Sequence, residues 1–319
     1  MNTNLISNQI EEYISYKQAL GYQIKIESQE LRRFAAYTLS INYEGSLTRE
    51  LAINWVTLNP KYSQWYLARR LETIRTFAKY ICVLDPDAQM PPKGIFGKCH
   101  GRTTPYIFTE KEIYFLMAAA LKLHSPDGLR SQAISVSLGL LWATGMRPSE
   151  LCKLKNDDVN LKDGLIIIKE TKFMKSRIIP IHESTICALN EYLVVREHLR
   201  KDFSETSFFL TTNSRSLSLR NFETALFKIR NVLLIKNNKW DRRPPRLYDI
   251  RHTFACNTLL QWYKNGTDID QKIIYLSTYL GHSKIADTYW YLTGTPELFD
   301  ITSANFKKFF SNERDDDGK

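Results

Sequence analysis

The sequence is poor in cysteine and has no long apolar run. Its five cysteines, Cys82, Cys99, Cys152, Cys187 and Cys256, are an odd, widely spaced set without a C-x-x-C pair. That argues against a disulfide framework or a zinc site and for reduced thiols in the cytoplasm. The longest apolar stretch, ISVSLGLLWATG at 134–145, is short and interrupted by serine and glycine, so a membrane span is not expected. No basic-then-apolar leader opens the chain, and export is not expected either. Low-complexity tracts and internal repeats are missing too. With 43% hydrophobic and 24% charged residues, the composition is that of a folded protein. Acidic residues are in deficit, 34 against 44 Lys and Arg, which leaves a net charge of +10. Such an excess favours a polyanionic partner, because each phosphate neutralised releases condensed counterions.

At 319 residues the chain has room for one large or two moderate domains. Apolar positions follow helical spacing from about residue 5 to 83, with Ile6, Ile10, Tyr13 and Leu20, then Leu31, Phe34 and Tyr37, then Leu67, Leu71, Ile74, Phe77, Ala78 and Ile81. Residues 1–88 therefore read as a helical domain of about four helices. Its last helix carries Arg69, Arg70, Arg75 and Lys79, either a solvated face or one turned toward DNA. Residues 89–104, rich in Pro and Gly, read as a linker. Thr109 and Glu112 can cap each other, which starts a helix near residue 110 and a second domain over 105–303. Within it GLIIIKETKFMKSRIIPI, 164–181, has two β-branched runs around a basic turn and reads as a β-hairpin. Helical spacing then resumes, with basic loops such as NNKWDRRPPR, which holds Arg242 and Arg243. Residues 304–319 divide into an apolar, basic helix fragment, NFKKFF, and an acidic tail expected to be disordered.

Four segments could supply phosphate chemistry, which needs a nucleophile, cations for the non-bridging oxygens and an acid for the leaving oxygen. They are Arg147 in ATGMRPSEL, Lys172 in TKFMKSR, Arg251 in YDIRHTFA, and LGHSKIADTYWYL. In this order and spacing they resemble the tyrosine recombinase (phage integrase) family of DNA breaking and rejoining enzymes. The resemblance covers about residues 105–298, and the helical first domain is similar to the family's core-DNA-binding domain. It implies a mainly α fold with a small β-hairpin, in a two-domain clamp around double-stranded DNA.

The resemblance also implies roles. Arg147 and Arg251 clamp the scissile phosphate, since guanidinium donates two hydrogen bonds to one phosphate and stays charged. Glu150 matches an acidic position that steadies the site, or is a plain helix-surface carboxylate. Lys172 is the implied general acid, and Lys175 contacts backbone phosphate or nothing. Tyr248 stands where the family commonly has histidine, and His252 completes an RH pair or simply packs. The LGH histidine, His282, precedes the family's nucleophile by nine residues, which selects Tyr291 over Tyr289. Two residues turn a helix by about 200°, so these two rings cannot both reach one phosphate. A phosphotyrosine ester stores the energy of the broken link, so neither ATP nor metal is implied, and no cofactor is expected. The implied assembly is a dimer on each site and a tetramer in the synapse, working at the nucleoid. The surroundings of TYWYLTGTPEL look more like recombinases of mobile elements than chromosome dimer resolvases. An accessory protein that binds DNA without cutting it is the alternative.

Overall fold

A computed structural model describes residues 5–98, 104–169, 176–199, 204–232 and 244–293. The chain divides into two compact units, 1–102 and 103–319. Lys172, Lys175, Arg242, Arg243 and the whole of 304–319 lie outside the described residues.

The first unit is built from four helices, α1 (Leu5–Ala19), α2 (Lys25–Ser40), α3 (Arg49–Thr57) and α4 (Gln64–Leu84). Each begins or packs as its local sequence dictates. Thr48 and Ser63 cap α3 and α4 by accepting from the amides of Leu51 and Tyr66. The periodic residues Ile6, Ile10, Leu31, Phe34, Trp55, Ile74, Phe77 and Ile81 close one core, each burial worth about 1.5–3 kcal/mol. Leu20, counted with this stripe from the sequence, falls past the end of α1 and is exposed. The segment read as a linker is partly built into this unit. The Gln89 amide donates to the Leu47 carbonyl, and Met90 and Phe96 pack against the core.

The basic face expected on α4 needs correcting. Arg70 is only 5% exposed. Its guanidinium lies 3.7 Å from the Trp55 ring centroid, 3.6 Å from Glu30 and within hydrogen-bonding distance of the Val56 carbonyl, so it serves the interior of the unit. Arg75 donates to the Pro91 carbonyl and pairs with Glu72, its side chain largely covered. Arg69, over the Trp65 ring, lines an open groove of about 500 Å³ with Lys17 and Tyr22.

In the second unit α5 (Glu110–Leu121) opens with the Thr109–Glu112 capping box. Next, α6 (Leu129–Thr144), apolar on nearly every side, runs through the core against α5. The short α7 (Pro148–Leu151) leads to an antiparallel sheet of β1 (Val159–Asn160), β2 (Leu165–Ile168) and β3 (Arg177–Pro180), in that order, with Ile166 opposite Ile179 and Ile168 opposite Arg177. Helix α8 (Glu183–Leu199) follows, also against α6, then a two-stranded ladder of β4 (Leu210–Thr211) and β5 (Arg215–Ser216). Helices α9 (Leu219–Val232), α10 (Leu247–Lys264), α11 (Ile269–Leu280) and α12 (Ala286–Tyr289) complete the unit, the last running into a 3₁₀ turn, Trp290–Thr293. The fold is mainly α with small sheets, and none of the described helices is long and apolar enough to cross a membrane.

Candidate active site

Local sequence prepares the position of Arg147. In RPSE, Pro148 is the first helical residue of α7, where its missing N–H is not needed, and Glu150 reaches back to accept the Arg147 amide at 2.9 Å. The same carboxylate accepts from Arg147 Nη1 at 2.7 Å. Glu150 is therefore no surface carboxylate. Arg177 of β3 binds it from the other side through two parallel hydrogen bonds of 3.0 and 2.7 Å. Burial opposes the Glu150 charge, but Arg177 and then Arg147 outweigh it and hold the carboxyl down at about 2.

Two glycines bring carbonyls to the arginines. Gly145 ends α6 at φ +60° and Gly281 ends α11 at φ +67°, both in the left-handed region where a side chain is strained. The Gly145 carbonyl accepts from Arg251 Nη1 at 3.0 Å, and the Gly281 carbonyl from Arg147 Nη2 at 2.8 Å. Neither residue has room for a Cβ, which would lie 2.4 Å from Phe254 at the first and 2.9 Å from Arg177 at the second.

Arg251, on the first turns of α10, is 1% exposed. Its Nη2 donates to the Leu280 carbonyl at 2.6 Å and lies 3.0 Å from Nε2 of His282. Guanidinium can only donate, so that imidazole nitrogen is the acceptor and the ring proton sits on Nδ1, 2.7 Å from the buried Thr288 hydroxyl. Burial, followed by the charges of Arg251 and Arg147, pushes the His282 pKa down to about 4, so the ring is neutral. Burial and the neighbouring Arg147 likewise lower the pKa of Arg251. Two cations held this close form a seat for an anion.

Tyr291 and Tyr289 part company as their spacing requires. Tyr291 is 2% exposed in the 3₁₀ turn, its ring centroid 5.3 Å from that of His252 and 5.9 Å from that of His282, whereas Tyr289 is 40% exposed on α12. Burial drives the Tyr291 phenol up to about 12 against the pull of Arg251. His252, half-buried, touches Tyr248, Trp290 and Tyr291 edge to face. Tyr248, 40% exposed, stands at the open side of the site with its ring against His252. Sequence reasoning did not assign Arg177, Thr288 or the two glycines. The R-apolar-apolar-P run after Lys175 was the available signal for Arg177. Among the described residues no three His, Cys, Asp or Glu side chains stand close enough to hold a metal ion.

Two clustered guanidiniums, a neutral imidazole and a buried phenol are the parts of a phosphoryl-transfer site. The profile described as the phage integrase family matches residues 107–297. The chain belongs to that family. An integrase/recombinase of Sinorhizobium fredii strain NGR234, y4rB, is 34% identical over 293 residues, covering 91% of this chain and 93% of the relative. The tyrosine recombinase XerD of Staphylococcus saprophyticus is 30% identical over 226 residues, 70% of each chain. Among solved structures, the Tn1549 transposon integrase in complex with a circular intermediate DNA has a TM-score of 0.65 over 96% of this chain and 100% of that one, at 16% identity. That likeness is one of fold. The integrase family member described here is thus a site-specific tyrosine recombinase.

The recombinase should lose stability in acid in two steps. His282 has a folded pKa below its ordinary 6.5, so the unfolded chain takes up its proton first, and stability falls as pH drops from about 6.5 to about 4. Glu150, depressed from 4.5 to about 2, adds a second fall at lower pH. Calorimetric Tm against pH should show the upper step flattened in His282→Gln and retained in Glu150→Gln.

Proposed function

We propose that this recombinase cuts and rejoins double-stranded DNA at defined sites of a mobile element, with Tyr291 as the nucleophile. The observation that carries the reading is the seating of the Tyr291 phenol beside Arg251 and His282, with Arg147 on the same cluster. The Tyr291 oxygen attacks the scissile phosphorus, the bond to the 5′-oxygen breaks, and a 3′-phosphotyrosine ester results. Arg147 and Arg251 neutralise the charge that builds on the non-bridging oxygens. The phenol proton leaves to water or a phosphate oxygen, so no side-chain base is required. Lys172 protonates the leaving 5′-oxygen, Tyr248 adds a hydrogen bond at the rim, and His282 holds the Arg251 guanidinium in place through Nε2. Attack by a 5′-hydroxyl reverses the steps and seals a strand.

DNA binding is supported by the net charge of +10 and by the solved relatives bound to DNA. Lys153, Lys155 and Lys169, the last paired with Asp158, line a groove of about 700 Å³ together with Arg147 and Glu150, which offers a path for flanking backbone. The mobile-element task agrees with the integrase/recombinase name of the relative that is 34% identical to this chain. The proposed assembly is a dimer on each site and a tetramer in the synapse, at the nucleoid.

The test is covalent trapping on nicked duplexes tiled across DNA flanking the gene, without metal or ATP. A protein–DNA adduct resistant to denaturation is expected at one site. Retarded DNA on a native gel without any adduct would instead identify an accessory binding protein.

A further inference from the structure

We infer that Arg177 is a positioning residue for strand cleavage, its fork fixing Glu150 and, through Glu150, the Arg147 guanidinium that grips the scissile phosphate. This rests on the role proposed for Arg147. The Arg177–Glu150 pair is bidentate, with side chains 10% and 9% exposed, unlike solvated pairs of little worth. Glu150 is shared: Oε1 also accepts from Arg147 Nη1, and Oε2 from the Arg147 amide. With Arg147 alone, the carboxylate would be held from one side only and would cancel the charge needed by the phosphate. Arg177 grips the same two oxygens from the other side and leaves the trio with one net positive charge.

Position in the fold agrees with this. Arg177 pairs with Ile168 across β2 and β3, the strands that bracket the segment carrying Lys172. Its guanidinium also fills the space where a Cβ of Gly281 would stand, under the carbonyl that receives Arg147. One side chain thus ties the hairpin, the α7 start and the turn after α11 together.

Single-turnover cleavage of a nicked duplex is measured for Arg177→Gln, Arg177→Lys, Glu150→Gln and the double variant Glu150→Gln/Arg177→Gln, with DNA affinity and Tm alongside. The substrate carries either an ordinary phosphate or an uncharged methylphosphonate at the scissile position. Arg177→Gln should lower the rate on phosphate roughly 30–100-fold, with DNA affinity within about threefold and partial recovery in Arg177→Lys. Relative to wild type, the loss should shrink on the methylphosphonate, which has no charge for Arg147 to neutralise. The double variant should be no slower than Glu150→Gln, because Arg177 acts through that carboxylate. Unchanged rates, an equal loss on both substrates, additive losses, or a loss confined to affinity would overturn the inference. Should Arg177→Gln fail to fold, Arg177→Lys carries the same comparisons. Absence of any Tyr291-dependent adduct in wild type overturns the proposed function as well, whereas an adduct indifferent to Arg177 overturns this inference alone.

Discussion

Tyr291→Phe is expected to abolish the protein–DNA adduct, a loss on the order of 10⁴-fold or more, while Tyr289→Phe keeps it within about threefold. Phenylalanine removes the attacking oxygen and nothing else of size. The ring stays packed on His252 and His282, so Tm and DNA retardation should hardly change. Tyr289, on α12, is 40% exposed and lies outside the packed cluster that holds Tyr291. A denaturing gel of the two variants on the trapped site decides between them. An adduct that persists in Tyr291→Phe would move the nucleophile elsewhere.

Arg251→Lys should lower cleavage on the order of 10³-fold and destabilise the second unit by about 2–3 kcal/mol. The charge is kept, so the loss isolates geometry. Arg251 spans three acceptors at once, the carbonyls of Gly145 and Leu280 and Nε2 of His282. An ammonium on a flexible stem cannot hold all three while presenting a planar face to an anion, and at least one buried carbonyl is left without a donor. Single-turnover rates and chemical denaturation measure the two effects separately. Equal rates for the lysine and arginine enzymes would show that only the charge matters there.

Local features were legible in the sequence and distant ones were not. Thr109 and Glu112 mark the start of α5 because a capping box is written within four residues. The hairpin is legible from its two β-branched runs, although β1, only two residues long, carries no such signal. Arg147 and Glu150 lie three residues apart, which places them on one helical face, but spacing leaves a plain surface carboxylate open as well. The Arg177 contact to Glu150 bridges 27 residues and the Arg251 contact to Gly145 bridges 106, and no local pattern announces either. Arg70 misleads for the same reason. An arginine on a basic helix reads as a DNA contact until Glu30 and Trp55, from other helices, are seen to enclose it.

Tyr291 belongs to the same packed cluster as Ala255, Cys256, Leu259, Leu276 and Leu280. The residue proposed to cut DNA is therefore also one that completes a core. During translation Arg147 leaves the ribosome well before Tyr291, an interval on the order of ten seconds or more. A nascent or prematurely stopped chain can thus carry both arginines proposed to hold the phosphate without the tyrosine proposed to attack it. On the assignment proposed above, a chain stopped before Tyr291 lacks the attacking oxygen and, with it, a ring of this core.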